Sequence, residues 1–118
     1  MALTVSVIKR NVVGAQKEVI ADVTFDDSYP NTGGTVGEPF SPTDVDAGAS
    51  SDDVFHFVCA TVNDATTADY RLVGYDVASE CLIVMTTLAA GANVQAANAS
   101  DQSAVKVRVL CRYGQVTG

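Results

Sequence analysis

Hydrophobic and polar residues alternate with a period of two along most of the chain, the pattern of strands that turn one face to a core. Between Glu18 and Asp26, the residues Val19, Ala21, Val23 and Phe25 fall on one side and Ile20, Asp22, Thr24 and Asp26 on the other. Leu3 to Arg10 reads the same way. In Val54 to Val62, Phe55, Phe57 and Cys59 fall on one side and Val54, His56, Val58 and Ala60 on the other. Its centre is apolar on both sides, which predicts a strand covered twice. Tyr70 to Val77 and Cys81 to Thr87 flank the polar stretch Ala78-Ser79-Glu80, which predicts a hairpin. Ser103 to Tyr113 alternates most cleanly, setting Val105, Val107, Val109, Cys111 and Tyr113 against Lys106, Arg108, Leu110 and Arg112.

Helix signals are weak. Leu88 to Ala104 is alanine-rich, but Gly91 breaks it and Asn93, Asn98, Ser100, Asp101 and Ser103 favour turns, so residues 88–102 read as an irregular segment with at most one helical turn. Residues 27–53 form a long acidic loop that holds Pro30, Pro39 and Pro42 together with Gly33, Gly34, Gly37 and Gly48. A structureless loop of that length in a small domain is usually functional or disordered. At 118 residues there is room for one core. The expected fold is all-β: a single domain over 1–118, an antiparallel β-sandwich or jelly-roll-like barrel of six to eight strands with one long Gly/Pro-rich loop.

Composition narrows the partners. Fourteen acids against seven bases give a net charge of −7, which argues against direct nucleic-acid binding through phosphate neutralisation. Acids crowd the stretch from Glu18 to Tyr70, which has no Lys or Arg, whereas Lys9, Arg10, Lys17, Lys106, Arg108 and Arg112 come from the two ends. If the terminal strands are neighbours, a basic strip opposes an acidic loop side. No window reaches the length of an apolar membrane span, and the N-terminus lacks the apolar run of a signal peptide, so neither membrane insertion nor secretion by the usual route is expected. Cys59, Cys81 and Cys111 are odd in number and each lies in an apolar run, which predicts buried free thiols in a reducing compartment.

Little in the chain points to catalysis. The single histidine, His56, sits mid-strand between two phenylalanines with no nucleophile beside it, which does not suit a Ser-His-Asp or Cys-His arrangement. The neighbours Asp26-Asp27 and Asp52-Asp53 point to opposite sides of an extended chain and read as turn residues. The EF-hand pattern fails from Asp44, because position twelve is Phe55 rather than a bidentate Glu. No enzyme activity, catalytic residue, metal site or cofactor is therefore expected.

Three segments carry a resemblance. Tyr29-Pro30-Asn31-Thr32-Gly33-Gly34, followed by Glu38-Pro39-Phe40-Ser41-Pro42-Thr43-Asp44, resembles a signature of small structural proteins of tailed-phage virions. Gly74-Tyr75-Asp76-Val77 leading into Leu82-Ile83-Val84 is similar to a hairpin of that group, and Val105 to Leu110 to its closing strand. The chain departs from the pattern in the inserted Thr35-Val36-Gly37 and at Glu80 and Cys81, and its first seventeen residues lie outside it. The resemblance implies a bacteriophage capsid decoration, or cement, protein: a homotrimer made in the host cytoplasm that sits on the outer surface of the virion and bridges copies of the major capsid protein. The contact residues expected for shell or trimer are Phe40 as an apolar anchor, its neighbours Pro39 and Pro42, and the basic residues Lys9, Arg10, Lys106 and Arg108. The alternative is a carbohydrate- or receptor-binding β-sandwich module of a phage fibre, against which the absence of Trp counts.

Overall fold

Residues 3–32, 35–62, 71–87 and 93–114 are described in the computed structural model. Among them the order is β1 (Thr4–Val13), β2 (Gln16–Thr24), β3 (Asn31–Thr32), β4 (Thr35–Val36), β5 (Glu38–Pro39), a 3₁₀ turn (Pro42–Asp44), β6 (Phe55–Val62), β7 (Arg71–Asp76), β8 (Cys81–Thr87), β9 (Asn93–Gln95) and β10 (Lys106–Gly114). The fold is an antiparallel β-sandwich. One sheet has the order β1-β2-β10-β6; in the other, β8 pairs with β7 on one side and with both β5 and β9 on the other.

Alternation decides which residues go inside. In β2 and β10, Val19, Ala21, Val23, Val107, Val109, Cys111 and Tyr113 are buried, and they meet Leu82 and Val84 of β8 in one core. The aromatic residues Phe40, Phe55, Tyr75 and Tyr113 pack in a chain beside them, the closest rings being Phe40 and Phe55 at 5.0 Å between centroids. Tyr29, fully buried, holds the long loop to the second sheet: its hydroxyl accepts from the Val84 backbone at 3.1 Å and from Gln95 Nε2 at 2.9 Å.

The molecule departs from its sequence pattern at two places. In β6, Phe55 is buried whereas Phe57 is 39% exposed and Cys59 is exposed, although all three were expected on one side. The cause is a bulge: Arg112 pairs with Phe57 and Tyr113 with Phe55, so His56 has no residue opposite it. One extra residue reverses the phase of the strand, and Val58 and Ala60 pack on the core in place of Phe57 and Cys59. The same bulge leaves His56 to donate from Nε2 to the Gly114 carbonyl at 2.7 Å. The 27–53 and 88–102 segments are also less irregular than expected among the described residues, outside which 33–34 and 88–92 lie. The first holds β3 to β5 and the 3₁₀ turn, and the second holds β9. Their strands are two or three residues long, too short for alternation to register.

Candidate functional site

The sheet β1-β2-β10-β6 turns its second face to solvent, and the strand register sets the side chains of that face in rows. Ile20 of β2 lies opposite Leu110 of β10, with Lys9 beyond it on β1 and Cys59 beyond Leu110 on β6. Ile20 and Leu110 are half-buried, and Ile8, the extra residue of a bulge in β1, adds a side chain that is 49% exposed beside this row. An ion pair frames the row on each side. Arg108 grips Asp22 with Nε at 2.8 Å from Oδ1 and Nη2 at 3.2 Å from Oδ2, and Arg112 Nη2 lies 2.7 Å from Glu18 Oε2. Arg112 also lies over the Phe57 ring at 5.7 Å, an exposed cation–π contact.

Three of the four expected basic contact residues, Lys9, Lys106 and Arg108, are brought together on this face. Arg10 is not. It stands opposite Val19 on the other side of the sheet and donates to the Val45 carbonyl at 2.9 Å. The bases of the chain ends are also not segregated from the acids, as a basic strip would require: β2 sets Glu18 and Asp22 beside β10's arginines. Lys9 and Lys106 make no ion pair among the described residues.

Phe40 cannot anchor a partner from where it lies. It is 1% exposed, packed against the Phe55 ring and edge-on to Tyr75, and its carbonyl accepts from the Tyr75 hydroxyl at 2.8 Å. Pro42 is buried as well, at the start of the 3₁₀ turn, while Pro39 is exposed at the edge of β8 opposite Cys81. An aromatic residue in a polar, proline-rich loop reads as a surface anchor, but here the loop folds back and supplies its aromatic residue to the core.

Three acids of the long loop hold its own backbone. Asp44 accepts from the Ser41 amide at 2.8 Å, Asp46 from the Gly48 amide at 2.9 Å and Asp53 from the Ser50 amide at 3.0 Å. Asp46 also fastens the loop to the sheet end, accepting from the Tyr113 hydroxyl at 2.7 Å with Lys17 Nζ 3.5 Å away. These bonds hold its carboxyl below the usual carboxylate range, the Tyr113 bond most of all. A shallow depression of about 180 Å³ opens there among Arg10, Lys17, Asp46 and Tyr113. No group of three or more possible metal ligands occurs among the described residues.

One buried acid escaped the sequence reading. Glu38 pairs opposite Leu82 and therefore faces the core, where it is 2% exposed with Oε1 lacking a partner. Burial first, and then the neighbouring Asp26 to which it hydrogen-bonds, push its pKa up to about 7. No spacing rule marks it, because its position depends on β5 pairing with a strand more than forty residues later. The outer-face rows did leave a signal: Glu18-x-Ile20-x-Asp22 and Arg108-x-Leu110-x-Arg112 repeat charge, apolar, charge at strand spacing. Of the three thiols, Cys81 and Cys111 are buried and Cys59 is exposed, which corrects the expectation for Cys59. No family model, curated protein or solved structure matches the chain.

Proposed function

We propose that this protein is a non-enzymatic structural module that decorates the outer surface of a tailed-phage capsid and cements contacts between major capsid subunits, acting as a homotrimer on the shell. The observation that supports the reading is the outer sheet face: a row of apolar side chains framed by ion pairs, with Lys9 and Lys106 at its margins making no ion pair among the described residues. An apolar centre inside a charged rim is the anatomy of a protein–protein contact. Single contacts of this kind can be weak, because many copies bound across subunit boundaries favour the assembled shell by mass action. The residues proposed to meet the shell are Lys9, Lys106 and Arg108, with the half-buried Leu110 between them and the opposite rim.

The test is co-sedimentation with capsids stripped of their decoration, read together with the temperature at which the shell dissociates. Retention on the shell and a higher dissociation temperature are expected, both weakened in Lys9→Glu/Lys106→Glu and at high salt. Protein that ignores capsids but is retained by a glycan array would overturn the cement reading in favour of a receptor-binding fibre module.

A further inference from the structure

We infer that, off the shell, the outer face of the β1-β2-β10-β6 sheet is covered by a second copy of the same chain, related by a twofold axis that runs parallel to the strands between β2 and β10. The two central strands carry opposite charges in matching rows: Glu18, Ile20 and Asp22 on β2, and Arg112, Leu110 and Arg108 on β10. Rotation about that axis exchanges the two columns and keeps the rows. The acidic column of one copy then lies over the basic column of the other, Glu18 on Arg112 and Asp22 on Arg108, twice over by symmetry, with Ile20 on Leu110 at the centre. A uniformly basic partner would repel one column and a uniformly acidic partner the other. The face is thus complementary to itself.

The size of the contact fits a reversible association. Four strands about 4.8 Å apart and eight to ten residues long, at about 3.3 Å per residue, make a face of roughly 19 by 30 Å. Two such faces bury on the order of 1,000 Å², the lower end for specific interfaces, so pairing should depend on concentration. Aligned sheets pack within about 30° of one another, which keeps the central rows in register. The outer strands meet as well: β6 with Cys59 lies under β1 of the other copy. This inference rests on reading the face as an interaction surface, and it does not depend on the identity of the shell.

Analytical ultracentrifugation of the full chain at millimolar concentration tests it, with two single variants, Asp22→Arg and Arg108→Asp. Each variant places like charges over one another in its own pair and should weaken association roughly tenfold or more. Mixed in equal amounts they should associate again, because position 22 of one copy and position 108 of the other then carry opposite charges at both symmetry-related contacts of that row, although neither copy regains its internal ion pair. Circular dichroism establishes that both variants are folded. A dimer, or a hexamer if the trimeric arrangement also forms in solution, together with rescue on mixing, supports the pairing. A monomer or a trimer of wild-type protein, or variants that stay apart when mixed, would overturn it. The shell assay reads separately: a monomer that still binds capsids sinks the pairing alone, and a dimer that ignores capsids sinks the cement reading alone.

Discussion

Tyr113 donates its hydroxyl to Asp46 at 2.7 Å, across 67 residues of sequence, and so ties the acidic loop to the last residues of β10. The same carboxylate takes the Gly48 amide and faces Lys17, so one side chain shapes the loop and also fastens it to the sheet. Tyr113→Phe removes a hydrogen bond to a charged acceptor and should destabilise the fold by about 1–2 kcal/mol at neutral pH. Because the Asp46 pKa is lowered in the fold, its contribution is complete above the ordinary carboxylate range and is lost as pH falls through the lowered value. The gap between wild type and variant in urea denaturation should therefore narrow in strong acid. An equal gap at all pH values would show that Asp46 is not the partner that matters.

Glu38 works in the opposite direction. An acid that keeps its proton to about pH 7 in the fold but only to about 4.5 when unfolded binds protons preferentially in the native state. Its contribution to stability therefore falls as pH rises from about 4.5 to 7 and stays low above that. The neutral Glu38→Gln variant lacks this slope. Between pH 5 and pH 8, wild type should lose on the order of 2–3 kcal/mol relative to the variant. Parallel denaturation curves for the two proteins across that range would exclude a protonated Glu38.

The thiols divide by position. Burial pushes Cys111 up to about 12, and Cys81 is also buried, with its Sγ donating to the Ser79 carbonyl at 3.3 Å. Cys59 is exposed on β6. Thiol titration of the native protein at low concentration should show one fast group, and all three of the chain's cysteines after denaturation. Cys59→Ser should abolish the fast phase. Two or more fast groups in the native protein would contradict the packing of β8 and β10.

The parts of this fold that were legible in the sequence are those in which one long strand has one buried face. β2 and β10 alternate without interruption, so their inner residues, and the charge–apolar–charge repeats on their outer side, follow from spacing alone. The β7–β8 hairpin was marked by its polar turn, where Asp76 accepts from the Ala78 amide and the Ser79 hydroxyl. β6 was not legible in phase, because a bulge at His56 is a property of the pairing with β10 and leaves no mark in the strand's own alternation. The same limit applies to Phe40 and Glu38. Each lies in a loop sequence but is carried into the core by contacts with β8 and its turn, with Phe40 donating its amide to the Glu80 carbonyl at 3.0 Å. Charge was misleading in another way: sequence blocks of one sign are separate along the chain, yet pairing β2 with β10 interleaves them.

Gly37 is the residue on which the placement of β5 depends. Its φ is +98°, a conformation that residues with a side chain rarely adopt, and its amide donates to the Pro30 carbonyl at 2.8 Å. A Cβ there would stand 2.5 Å from the Leu82 carbonyl oxygen and 2.6 Å from Ile83 Cδ1. The isoleucine tip can swing away, but the carbonyl is fixed within β8, so the backbone of one strand would have to move. Gly37→Ala should therefore cost several kcal/mol, on the order of 2–4, by adding a steric conflict to an unfavourable φ. It should also loosen the Glu38–Leu82 pairing, visible as faster hydrogen exchange in β5 and at its contact with β8. Gly48→Ala is the matching control. There φ is not positive and the new Cβ meets only Asp46 Oδ1 at 3.4 Å, so stability should change by less than about 0.5 kcal/mol. If the two variants melt together, the close approach of Gly37 to β8 is not what holds the long loop in place.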